Sequence, residues 1–321
     1  MRATAHKSTR VLVALALGAA GVFLTGSPAS AQSVSIDLCA EAGTLPLPDG
    51  ASAPVWGFAR AALDSGGTPT CTGVAAQVPG PVLDIPAGEL VHVVVHNDLD
   101  VAVSFEAPGQ SIAEGSVAAA SHSAATYSFT ASAPGTYLYQ SPSAAGRQLA
   151  MGLYGALLVR PATAGRAYDD ASTAYDQESI LVLSAIDPVF NADPDHANPY
   201  TYTPTYWLIN GKAYPQTDAI HAPGPGTRVL LRFLNAGHDN TTMAVLGLHE
   251  RVIARDAHAL NNPFDANAET IPAGATEDTI VTIPATGTRF AVYNRQLHLT
   301  NGAPGSPSHT PGGMLTFLQV P

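Results

Sequence analysis

The sequence predicts an all-β protein of two domains, and three observations carry that reading. Short runs of β-branched and aromatic residues recur about every eight to twelve positions between turns rich in Gly, Pro, Asn and Asp. From Val55 onward no segment holds a helical period. The 321 residues include 29 Gly and 26 Pro, with 46% hydrophobic and 12% charged residues, which excludes a disordered chain, a coiled-coil rod and a disulfide-framework mini-protein. Fourteen basic against 25 acidic residues, with no Lys/Arg run, exclude a nucleic-acid partner.

Residues 1–31 read as a signal peptide and not as part of the fold. Arg2, Lys7 and Arg10 precede the apolar run Val11–Thr25, and Ala29-Ser30-Ala31 supplies small residues before a cut. The run is too short for a comfortable membrane span, so no span is expected after its removal. Cleavage takes the formal charge from −11 to −14, and the protein is expected to be secreted or extracytoplasmic. Export permits disulfides, and Cys39 and Cys71 can form one intramolecular bridge, a structural staple. A thiolate copper ligand is the alternative, but neither cysteine has a His or Met partner nearby in sequence.

In the first domain, expected over 32–161, strands are read at Val82–Ile85, Leu90–Asn97, Thr126–Thr130, Thr136–Tyr139 and Gly155–Val159, with turns at Pro79-Gly80-Pro81 and Ala133-Pro134-Gly135. Residues 162–178 form a polar, Ala-rich linker. The second domain, 179–321, reads as strands at Ile180–Ser184, Trp207–Asn210, Arg228–Leu234, Glu250–Ala254, Thr279–Ile283, Arg289–Tyr293 and Met314–Leu318. Both domains are of ordinary size.

The ordered segments Val55-Trp56-Gly57-Phe58, Pro79-Gly80-Pro81, Val93 to Leu99, Pro134 to Tyr139 and Gln148 to Val159 resemble the multicopper oxidases. In the second half Leu208 to Pro215, Leu231 to Gly237 and Val252 to Asp256 extend the likeness. The resemblance implies two cupredoxin-like Greek-key β-sandwich or barrel domains, and it implies copper as cofactor.

The ligand positions depart from that pattern. Where the family has His-Trp-His-Gly, with two histidines on the oxygen-reducing coppers, this chain has Ser104-Phe105-Glu106-Ala107-Pro108-Gly109-Gln110. Tyr139-Gln140-Ser141-Pro142 stands for Tyr-His-Ser-His, so Glu106, Pro108, Gln140 and Pro142 occupy four imidazole places. Near the C-terminus Tyr293-Asn294-Arg295-Gln296-Leu297-His298 stands for the run that carries the blue-copper thiolate, with Arg295 at the cysteine. No cysteine follows Cys71.

His298, His309 and Met314 remain as a candidate soft Cu(I) set. The plainer reading makes His298 a strand residue, His309 a loop residue and Met314 core. His92 and His96 share a strand face but stand about 13 Å apart at ~3.3 Å per residue, too far for one ion. His249 and Asp256 belong to the second-domain framework. Carboxylate pairs such as Asp193/Asp195 and Asp169/Asp170 lie in linkers. Phosphate-loop, serine-elbow and His-Glu-x-x-His signatures are missing.

The sequence therefore reads as a secreted multicopper-oxidase-like protein without trinuclear and blue copper sites. No catalytic residue and no cofactor are expected, and the chain would act as a binding or auxiliary protein, as a homo-oligomer or beside a partner oxidase. The rival is a copper-binding oxidoreductase that uses unrecognised histidine ligands.

Overall fold

Strand Leu90–Asn97 shows how the sequence pattern becomes a layered structure. Val91, Val93 and Val95 alternate into a core with no exposure, while His92 and His96 fall on the opposite face. There each imidazole reaches a flanking strand: His92 Nδ1 lies 2.8 Å from Ser128 Oγ, and His96 Nε2 lies 2.8 Å from Asp37 Oδ1. The strand is central, so these half-buried histidines act as cross-strand ties and, as the spacing implied, are not partners on one ion.

The computed structural model describes residues 33–112, 117–144 and 146–321; the signal segment expected over 1–31 lies outside the described residues. Along the first half run β1 (Ser33–Pro46), β2 (Ser52–Arg60), β3 (Leu83–Pro86), β4 (Leu90–Asn97), β5 (Ser123–Thr130), β6 (Gly135–Gln140) and β7 (Tyr154–Arg160). One sheet has the order β2-β1-β4-β5 and the other β3-β7-β6. Pairs β1/β4 and β3/β7 are parallel, and the others are antiparallel. Leu38, Phe58 and Val93 from the first sheet meet Leu83, Tyr139 and Leu157 from the second in one core.

The second half repeats the plan. It comprises β8 (Gln177–Ile186), β9 (Tyr206–Ile209), β10 (Arg228–Asn235), β11 (Thr241–Val245), β12 (Glu250–Arg255), β13 (His258–Ala266), β14 (Glu269–Ile271), β15 (Thr276–Thr282), β16 (Arg289–Asn294) and β17 (Leu315–Gln319). Within its larger sheet the order β9-β8-β10-β15 reproduces β2-β1-β4-β5, including the parallel middle pair. Strands β12 and β13 extend that sheet on the β15 side. The smaller sheet contains β17-β16-β11-β14, and Leu183, Leu231 and Phe233 pack against Met243, Val292 and Leu318. Both halves are sandwiches, with neither closed into a barrel.

Three features depart from the sequence reading. Strand β1 was not anticipated, because its inward residues Ile36, Leu38 and Ala40 are interleaved with Ser, Asp, Glu and Gly that weaken the strand signal. Among the described residues two single-turn α-helices occur, α1 (Arg147–Met151) and α2 (Pro188–Ala192). The latter starts where Asp187 Oδ1 accepts the Val189 and Phe190 N–H groups and Pro188 fills the first turn. Within 162–178, Ala167, Tyr168 and Thr173 are buried, so this stretch packs against the sandwiches.

A buried polar chain crosses between the halves. Arg232, on β10 and 1% exposed, donates from Nε to Glu178 Oε2 at 2.8 Å and from Nη1 to Asp278 Oδ2 at 3.1 Å. Asp278 also accepts the Thr136 hydroxyl of β6, at 2.7 and 2.9 Å, and the Tyr168 hydroxyl at 2.7 Å. Glu178 continues to Arg160, whose guanidinium forks onto Asp84 at 2.8 and 2.9 Å. Burial pushes the Glu178 carboxyl up, but the guanidiniums of Arg160 and Arg232 outweigh it and hold the group below its usual value.

Two further acids are buried on the far side of the same sheet. Burial pushes Glu250 up to about 8, with only the Val245 N–H at 2.8 Å as compensation and with Glu277 and Glu269 nearby raising it further. Glu277 is likewise pushed up to about 7 by burial, despite Arg255 Nε at 3.0 Å, and its Oε1 has no hydrogen-bond partner.

Asp278→Ala removes the anion facing buried Arg232 and is expected to cost about 3–5 kcal/mol, read as a lower urea midpoint at unchanged slope. Thr136→Val, which removes one hydroxyl, should cost about 1–2 kcal/mol. Small, equal losses would show that the network does not hold the halves together. In pH-dependent unfolding, Glu250 and Glu277 bind protons more tightly folded than unfolded, so stability falls as pH rises from 4.5 toward about 8. Glu178, with its lowered value, has the opposite sign and loses its contribution only below 4.5. Glu250→Gln should flatten the alkaline decline; an unchanged slope would show that the carboxyl is hydrated.

Candidate functional site

At the end of β6 the backbone sets two polar side chains against each other. Glu106 and Gln140 lie directly opposite and exchange both N–H···O=C bonds at 2.9 Å. Their side chains meet, Gln140 Nε2 donating to Glu106 Oε1 at 2.7 Å. Pro108 and Pro142, each two residues further along, bring no side-chain donor atom.

Hydroxyls and amides fill the surroundings. Ser141, fully buried, donates to Gln148 Oε1, and Gln148 Nε2 donates to the Ala102 carbonyl at 2.8 Å. Ser104 Oγ sits 2.7 Å from Ser143 Oγ, and its N–H donates to Ser141 Oγ at 3.1 Å. The four imidazole places of the resemblance thus hold a carboxylate–amide pair and two prolines. Pro108 also borders a groove of about 530 Å³ lined by Thr136, Tyr137, Asp256, His258 and Thr276.

The second sandwich carries the other candidate. Asn294, fully buried at the end of β16, points Nδ2 toward Met314 Sδ at 3.8 Å and toward Gln296 Oε1 at 3.3 Å. Gln296 in turn accepts the Thr242 N–H and donates to the Asn240 carbonyl, both at 3.0 Å. Arg295, at the thiolate place, turns outward and donates to Tyr293 Oη at 2.9 Å.

His298 stacks on Trp207, ring centres 4.5 Å apart and 16° from parallel. With Met314 it lines a cavity of about 20 Å³ that His238, Asp239 and Tyr202 also border, room for one water-sized or ion-sized occupant. His238 packs its ring 4.8 Å from that of Tyr202. Burial pushes both imidazoles below 6.5, so they are neutral at pH 7 with a nitrogen lone pair available.

Of the three metal candidates named from the sequence, His298 and Met314 come to one cavity. His309 does not line it: its Nδ1 lies 3.2 Å from the Gly302 carbonyl, in a hairpin where Thr300–Asn301 pairs with Thr310–Pro311. His238 was missed in the sequence, although it follows the Asn235-Ala236-Gly237 turn of the resemblance. His249 borders a separate groove beside Tyr293 and Arg295, and Asp256 accepts the Thr276 N–H at 3.0 Å. Cys39 and Cys71 form a disulfide, with Cα atoms 5.7 Å apart. Among the described residues, no helix is long and apolar enough to cross a membrane.

Comparison with known proteins places these features in context. Residues 59–164 match the family model of the multicopper oxidases. The blue copper oxidase from Nitrosomonas europaea superposes with a TM-score of 0.75 at 21% identity, over 89% of this chain and 85% of that one. A multicopper oxidase, mgLAC, gives the same score and identity over 89% and 86%. The copper nitrite reductase from Nitrosomonas europaea follows at 0.70 and 19% identity, over 90% and 94%. No curated protein matches the chain.

The histidine environment is open to direct measurement. In an NMR titration of imidazole resonances, His238 and His298 should protonate below 6.5; a midpoint at or above that value for His298 would show a ring that is hydrated rather than desolvated by its packing.

Proposed function

We propose, for a chain that belongs by its fold and by its matched segment to the multicopper oxidase/cupredoxin superfamily, that it is an exported, non-catalytic binding or auxiliary protein which has given up the trinuclear and blue coppers. The observation that carries this reading is the Glu106–Gln140 hydrogen bond. A carboxylate already engaged by an amide, flanked by two prolines, does not fit a cluster that binds oxygen through imidazole-held coppers. Asn294 and Arg295 likewise offer no thiolate for a blue centre.

On this reading the chain comprises a signal peptide over 1–31, cupredoxin domains over 32–161 and 179–321, and a connector over 162–178. The repeated strand order in the two halves supports that division. The Cys39–Cys71 bridge supports an oxidising compartment. A partner oxidase or a second copy would meet two sandwiches joined through the Thr136–Asp278 and Arg160–Glu178 contacts.

A second reading is favoured by one observation, the meeting of His238, His298 and Met314 around an ion-sized cavity. Two neutral imidazoles and a thioether are a donor set suited to a single Cu(I). One experiment separates the two: the purified, disulfide-intact protein is loaded with copper under reducing and oxidising conditions, desalted and analysed for metal. The first reading expects well under one equivalent, no blue band and no oxygen uptake with a phenolic donor. One colourless equivalent, lost in His298→Ala and kept in Glu106→Ala, would establish the second reading. Three or more equivalents with oxygen uptake would overturn both.

A further inference from the structure

Cys39, Cys71 and Glu41 bring their donor atoms within 4.8 Å of one another, the one such group of three or more His, Cys, Asp or Glu donors among the described residues. Cys39 and Glu41 are two positions apart on β1, so they project from the same face. Cys71 comes to them from the following loop. Glu41 Oε1 is shielded from water, and the Asp98 carboxyl hydrogen-bonds to Glu41; burial and that neighbour push Glu41 up to about 7.

The loop is held in place independently of the bridge. Before it, Ala62–Leu63 pairs with Pro69–Thr70, and Asp64 Oδ1 accepts the Gly66 and Thr68 N–H groups at 2.8 Å. After it, Gln77 bridges to Phe58 on β2. The Gln77 backbone crosses so close over Gly57 that any Cβ there would collide with it. Opening the disulfide therefore leaves Cys71 tethered on both sides above Cys39.

We propose that, once the bridge is reduced, Cys39, Cys71 and Glu41 form a binding site for a zinc-class divalent cation, with two thiolates and one carboxylate as ligands and a fourth position open to water. The reductant is a dithiol: its two electrons and two protons convert the S–S bond to two thiols while it becomes a disulfide itself. The cation then displaces the two thiol protons. Thiolates on a tetrahedral ion with ~2.3 Å bonds stand about 3.8 Å apart. Rotation about the side-chain bonds reaches that separation with Cα atoms 5.7 Å apart. The bridge is then one of two alternative closures of the same loop, a covalent one under oxidation and a metal one under reduction.

The test uses the full exported chain, reduced with a dithiol, freed of it by gel filtration without oxygen, and titrated with cadmium and with zinc. One equivalent of cadmium should bind with a thiolate charge-transfer band in the ultraviolet, and zinc should displace it. The oxidised protein and the double variant Cys39→Ser/Cys71→Ser should not bind. Glu41→Gln should keep the band but weaken zinc binding by at least about tenfold, the scale on which even outer-shell partners act. Equal affinity in Glu41→Gln would overturn the three-ligand site. So would loss of the strand circular dichroism on reduction, because the loop would then not be held without its bridge.

Discussion

The buried network around Arg232 and Asp278, entered from the first sandwich by Thr136, is the constraint on which the arrangement of the two sandwiches depends. A guanidinium taken wholly out of water is tolerable only if every side of it meets an anion or an acceptor, and here those partners come from both halves. Asp278 and Glu178 belong to the second sandwich, Thr136 to the first, and Tyr168 to the stretch between them. A shift of either sandwich by an ångström would pull the Thr136 hydroxyl off Asp278 and Arg160 off Glu178. The network thus fixes one relative placement rather than adding much net stability, since the desolvation cost of the ions offsets most of their attraction. Thr136 stands near the start of β6 and Gln140 at its end, so the element anchored in this network also carries the carboxylate–amide pair.

How much of this was legible in the sequence depends on whether the signal was local. Strand Leu90–Asn97 was read with its observed bounds, because a run of valines alternating with histidines between two turns needs no tertiary information. The stretch 162–178 read as a plain linker because Tyr168 and Thr173 are buried by partners more than a hundred residues away or by a turn that composition does not announce. The same holds for the whole polar chain from Asp84 to Asp278, whose members are individually ordinary charged residues.

For the candidate sites, residue identities were legible and their relations were not. Glu106 and Gln140 could be placed where imidazoles stand in the resembling family, but only the opposed backbone pair makes them each other's partner. The spacing of His298 and His309 suggested a shared ion. The intervening loop contains a small hairpin that turns His309 aside, and His238, from the far earlier turn after β10, takes its place at the cavity wall. A scaffold of this kind carries chemistry only through the particular donors at its ends, which is why fold similarity at about one-fifth identity leaves activity to be decided by those side chains.

The buried acids of the second sandwich carry a consequence for the thermodynamics of the whole chain. Glu250 and Glu277 hold protons in the folded protein at a pH where the same groups in an unfolded chain have released them. Folding near neutrality is therefore a proton-uptake reaction. Its measured heat includes the ionisation enthalpy of whatever buffer donates those protons, and the folded state itself acts as a small reservoir of acid closed inside a β-sandwich.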